Sequence, residues 1–261
     1  MIAKLMKYDI KNMMRILVYI YVVSIGLSII TRILNIWSDI QVLFLIKEIF
    51  AGLTYSAVGS VIINAFAHVL KVLVCSFYKD ESYLTHTLPV KKSELLLSKY
   101  LSGLVVVLCS VAIAFVSLAI VLYSPEFMDM LGVLLEMVVA GFNMSVSTFI
   151  TIFVLLVFVQ LCAMMSMVFV AVVKGNMYNS KRAIKGLLWF VVCYMATMCA
   201  MLLVILAVFA IQGNVSMFLS ETLSQQAFMS IIVVCLVVYM LASVVFYIIA
   251  NRLFNKGVNV D

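Results

Sequence analysis

The chain has 261 residues, is 67% hydrophobic and 11% charged, and carries a net charge of +6. A soluble domain averages about 25% charged residues, so this composition excludes an ordinary soluble protein. The net charge reports membrane topology and contact with anionic lipid, because the basic residues are sorted by loop, and it gives no case for nucleic-acid binding.

Residues before 16 read as an amphipathic helix. Ile2, Leu5, Met6, Ile10, Met13, Met14 and Leu17 recur at three- and four-residue spacing, with Lys4, Lys7, Lys11 and Arg15 on another face. Such a helix is expected to lie in the membrane interface with its lysines near anionic headgroups. A plain cytosolic extension of the first span is the alternative. The apolar run that follows is longer than a signal-peptide core and lacks a convincing cleavage site, so no cleaved leader is expected.

Six apolar runs are long enough to cross a hydrocarbon core of about 30 Å as helices. They cover 16–37, 49–74, 100–123, 147–173, 187–211 and 227–250. The expected fold class is therefore all-α: a polytopic membrane protein, one transmembrane domain over 1–261. The stretch "SPEFMDMLGVLLEMVVAGFN" is not counted as a span. Asp129 and Glu136 are seven apart and share a helical face, which predicts a short helix resting on the outer surface.

On the second span Ser56, Ser60, Asn64 and His68 follow at spacing four, with Gly52 in the same row. The row suits helix–helix packing, because small and polar residues pack and hydrogen-bond between membrane helices. The sharper alternative is the lining of a path or cavity, and the two readings overlap if the helix sits at a subunit seam. Thr197 on the fifth span and Gln160 on the fourth are weaker candidates of the same kind.

The segment 77–100 carries seven charged side chains between two apolar runs. Asp80, Glu81 and Ser82 suit a helix N-terminus, where acidic and hydroxyl groups meet free N–H groups. Pro89 disfavours helix at Leu88, so that helix is short. Ser93 is a plausible cap for a second helix that runs on into the third span. The result is a short crosswise helix with Tyr83, Leu84 and Leu88 close to one face. A helix of this size is not stable alone in water and needs a membrane surface or a partner.

Fifteen of the seventeen basic residues fall on one side of this layout; Arg32 and Lys47 fall on the other. The positive-inside rule then places the chain in a membrane with both termini in the cytoplasm. Catalytic chemistry is not visible. His68 and His86 stand on different elements, there is no HExxH or GxxxxGK, and the six cysteines lack metal-ligand spacing. The cysteines read as small hydrophobes packed in the spans.

The run "KDESYLTHTLPVKKSELLLSKYL" at 79–101, the basic amphipathic N-terminus and the six-span plan resemble permease subunits of type-2 ABC transporters. The likeness is greatest to small bacterial permeases whose ATPase is a separate chain. It implies that Asp80, Glu81, Tyr83, Leu84, Leu88 and Pro89 form a coupling helix that docks in a groove of an ABC ATPase subunit. It implies a second permease subunit, identical or related, with spans two and five around a central path. Ser56, Ser60, Asn64, His68 and Thr197 are the path candidates on that view. ATP and Mg would be held by the partner ATPase, with no cofactor on this chain, which would not itself be an enzyme. The implied location is the cell membrane, multi-pass, and the implied cargo is a peptide antibiotic, drug or lipid-like molecule leaving the cytoplasm. A different class remains open: a non-transporting membrane scaffold or sensor that recruits a cytoplasmic partner through the 79–99 loop.

Overall fold

The computed structural model describes residues 2–36, 41–79, 82, 90–142, 144–178, 180–211 and 225–256. Those residues form seven helices and no strand. In chain order they are α1 (Ile2–Ile36), α2 (Gln41–Tyr78), α3 (Lys92–Leu122), α4 (Pro125–Phe142), α5 (Val146–Asn176), α6 (Arg182–Ile211) and α7 (Gln225–Lys256). All but α4 are long and apolar enough to span a membrane. In hydrocarbon a backbone must satisfy its own N–H and C=O groups, which a helix does within one segment. The six expected spans are these six helices, and the fold is that of an all-α polytopic membrane protein.

The helices run past the expected boundaries. Helix α1 has 35 residues and is unbroken, so the amphipathic segment forms its first turns rather than a separate element. At 1.5 Å per residue it is about 52 Å long, well beyond a 30 Å core. The expected division of faces holds along it. Met13 and Leu17 are fully buried, whereas Lys4, Lys7, Lys11 and Arg15 are exposed.

The described chain packs as two units, 1–129 and 130–261. In the first, α1, α2 and α3 pack against one another. Helices α1 and α3 run parallel. Tyr21 Oη lies 2.5 Å from Ser110 Oγ, and Ser24 Oγ donates to Ser117 Oγ at 3.2 Å. Further along, the Arg32 guanidinium stacks 5.6 Å from the Tyr123 ring centre. Ser24, Ser28, Ser98, Ser102, Ser110 and Ser117 are all completely buried. Small residues let membrane helices approach closely, and each hydrogen bond between them adds about 0.6 kcal/mol. Helix α2 returns antiparallel. Its Thr54 Oγ1 meets Thr31 Oγ1 at 2.7 Å, and Val58, Val61, Ala65, Val69 and Val72 form its buried face.

In the second unit α5 is the buried member and packs against α6 and α7. The α5–α6 connection is short because two glycines meet across it. A Cβ on Gly175 would lie 2.7 Å from Gly186 Cα and 2.9 Å from the Arg182 carbonyl oxygen. Lys181 makes the turn in the left-handed region, with φ of 52°. Its carbonyl accepts from the Lys185 N–H at 3.1 Å, opening α6.

Helix α4 joins the units in sequence. Ser124 caps it, accepting from the Phe127 N–H at 3.1 Å, and Pro125 takes the first helical position, where its missing N–H costs nothing. The expected short helix is therefore present, and Asp129 and Glu136 are both exposed on it.

Candidate functional site

The polar insert hangs between α2 and α3. Asp80, Glu81, Tyr83, Leu84, Leu88 and Pro89, the expected coupling residues, lie outside the described residues. Its two roots are described. At the first, Phe77 and Tyr78 are buried edge to face, with ring centres 6.3 Å apart. Ser82 is buried as well, and its N–H donates to the Lys79 carbonyl at 2.7 Å. At the second, α3 opens at Lys92 with Lys91 as its cap. Ser93 is not the cap. Lys91 has extended geometry and no side-chain acceptor, and its carbonyl takes the Glu94 and Leu95 N–H groups instead.

A buried charge ties these roots to α1. Lys99 Nζ donates to Asp9 Oδ1 at 2.5 Å and to Ser76 Oγ at 3.1 Å. Three helices thus meet at one ammonium group: the start of α1, the end of α2 and the start of α3. Among the described residues this is the one salt bridge. In the sequence Lys99 stands among the loop cations and within the 79–101 run, and nothing there pairs it with Asp9. An acid alone among lysines on an amphipathic helix was the available signal.

The polar row on α2 turns as it climbs. At 3.6 residues per turn a row of spacing four drifts about 40° at each step. Gly52, Ser56 and Asn64 are exposed, whereas Ser60 and His68 are half-buried. Among the described residues the three lower-numbered polar side chains bond only their own helix. Ser56 Oγ donates to the Leu53 carbonyl at 3.2 Å, Ser60 Oγ to Ala57 at 2.7 Å and Asn64 Nδ2 to Ser60 at 2.8 Å. None of them bonds α1 or α3 through these contacts. His68 has drifted toward α1, beside the Asn12 backbone, and its buried Nε2 has no hydrogen-bond partner among the described residues.

Thr197 is placed differently. It is buried in the second unit, donating to the Cys193 carbonyl at 2.6 Å and approaching the Met167 sulfur on α5 at 4.0 Å. It serves the α5–α6 contact, as Gly175 and Gly186 do at the helix ends. Among the described residues no group of histidine, cysteine and carboxylate side chains is arranged to hold a metal. Comparison with protein-family models, curated proteins and solved structures gives no match to this chain.

Proposed function

We propose that the chain is the membrane-spanning subunit of an ATP-driven exporter of the type-2 ABC class, working with a separate ATPase and a second permease subunit. The observation that carries this reading is the polar row on α2. Ser56 and Asn64 stand exposed on a helix that spans the membrane, and among the described residues they bond only carbonyls of α2 itself, none on α1 or α3. Polar groups facing hydrocarbon are costly, so such a face belongs to a water-filled path or to a second subunit. A permease pair supplies both.

The insert at 79–101 supplies the coupling element. Its roots are held by Lys99, Ser76 and Asp9, so force applied to the insert reaches α1, α2 and α3 together. On this reading ATP closes the partner ATPase, the segment holding Asp80 to Leu88 moves as a lever, and the α2 face switches its access. Coupling of this kind needs contacts that differ between the two states of the ATPase. The charge asymmetry of the loops supports the reading that the insert and both termini face the cytoplasm.

Co-purification from mild detergent tests the partner, which should be an ABC ATPase. Nucleotide-stimulated turnover of that complex then tests the lever. Glu81→Lys and Tyr83→Ala should uncouple it, and wild-type coupling in both variants would remove the insert from the mechanism.

A further inference from the structure

We infer that the α5–α6 turn is a binding site for the phosphate of an anionic phospholipid. The Gly175–Gly186 contact draws the two helix ends together, and a lysine adjoins each glycine: Lys174 and Lys185. Like charges gathered at a helix crossing repel unless an anion lies between them. This chain does not supply one locally. Not one Asp or Glu occurs between Glu136 and Glu221, and no described carboxylate lies within salt-bridge distance of Lys174 or Lys185.

Both lysines are oriented by aromatic rings. Lys174 Nζ sits 5.0 Å from the Trp189 ring centre, and Lys185 Nζ sits 4.3 Å from that of Tyr178. The rings are themselves joined, with Trp189 Nε1–H donating to Tyr178 Oη at 3.4 Å. A lysine ammonium over a ring face still has N–H groups on its far side free for an anion. Lys181 adds a third, exposed positive charge in the turn.

The surroundings select a lipid rather than an acidic protein. Ile184, Leu187 and Leu188 stand 57%, 65% and 58% exposed in the first turns of α6, beside the cations. Trp and Tyr rings mark the level of the headgroups in membrane proteins. A molecule that meets cations at one end and exposed aliphatic surface at the other is an amphiphile. Anionic headgroups are attracted to such basic sites on the cytoplasmic leaflet. The site stands whether or not the chain is a permease.

The test uses Trp189 as its own probe. The chain has two tryptophans, so Trp37→Phe leaves Trp189 alone. The full chain is placed in phosphatidylcholine nanodiscs containing brominated phosphatidylglycerol or brominated phosphatidylcholine. The phosphatidylglycerol should quench Trp189 at a several-fold lower mole fraction. K174Q/K185Q should raise that fraction by about fivefold or more per lysine. K174R/K185R should restore it, and K4Q/K7Q should leave it unchanged. If K174Q/K185Q does not fold, raising salt from about 0.05 M to about 0.5 M on the parent chain should weaken the preference instead. Equal quenching by the two lipids overturns the proposal, as does quenching that survives both the lysine removal and the salt. Displacement by soluble glycerophosphoglycerol would make the ligand a free phosphate ester, and displacement by polyglutamate would make it an acidic protein. Either result also overturns it.

Discussion

Lys99 Nζ lies 2.5 Å from Asp9 Oδ1, across ninety residues of sequence, with the two side chains only 9% and 15% exposed. The pair fastens the first turns of α1 to the base of the insert. Removing one partner strands the other charge in a poorly hydrated place, which costs about 3 kcal/mol at the lower end for buried pairs. Asp9 reaches the surface slightly, hence the lower end. Lys99→Met and Asp9→Asn should each lower the melting temperature clearly in detergent. The double variant Asp9→Asn/Lys99→Met should be less destabilised than the sum of the two single losses. Strict additivity would mean that the pair is not coupled.

The Gly175–Gly186 contact makes a sharper demand. Alanine at Gly175 would place a Cβ against backbone atoms at 2.7 and 2.9 Å, which no side-chain rotation relieves. Overpacking of this kind costs about 1–3 kcal/mol. Gly52 and Gly59 on α2 have nothing within 4 Å of an added Cβ. Alanine there should be neutral or stabilising by about 0.5–1 kcal/mol, because glycine weakens a helix interior. Thermal unfolding should therefore show a loss for Gly175→Ala and none for Gly59→Ala.

The spans were legible in the sequence because hydropathy alone decides them. Their ends were not. The runs at 43–48 and 92–99 continue the helices, but the charged residues in them, Lys47, Glu48, Lys92, Glu94 and Lys99, interrupt the apolar runs from which the ends were read. The amphipathic face of α1 was legible from spacing, with Met13 and Leu17 inward and Lys4 and Lys7 outward. That this segment is continuous with the first span was not, since no proline or glycine signals either a break or its absence. The polar row on α2 was visible as a row, but its drift toward α1 at His68 depends on where the neighbouring helices stand. Thr197 shows the same limit: its polarity was plain, but whether it met α5 or open space was a matter of packing.

Thr31 and Thr54 close the far end of the first unit. Thr31 Oγ1 lies 2.7 Å from Thr54 Oγ1, and each hydroxyl is also within reach of a carbonyl one turn back in its own helix, Leu27 for Thr31 and Phe50 for Thr54; with one hydrogen apiece, one threonine donates to the other while its partner donates to a carbonyl. Each hydroxyl has its local carbonyl to donate to if the other is lost, so the cost of Thr31→Val should be small. Hydrogen bonds between membrane helices average about 0.6 kcal/mol and reach about 1.7. Thr31→Val, Thr54→Val and the double variant should all fall in that range. A loss of several kcal/mol in the double would assign the threonines a larger role than their geometry supports.

The exposed row on α2 decides between a path and a seam. In a chain freed of its six cysteines, Ser56→Cys and Asn64→Cys can be probed with a charged, membrane-impermeant thiol reagent. A thiol in hydrocarbon stays protonated and unreactive, so water is required for labelling. Phe115→Cys, exposed on apolar α3, and Val61→Cys, buried within the first unit, serve as unreactive controls. Labelling at positions 56 and 64 well above both controls would mean a water-filled path. Oxidative cross-linking between copies at position 64, without labelling, would mean that α2 meets α2 across a subunit seam. Both outcomes agree with a permease pair. Reactivity no greater than that of Phe115→Cys, with no cross-link, would leave the polar row facing lipid and remove the observation on which the transport reading rests.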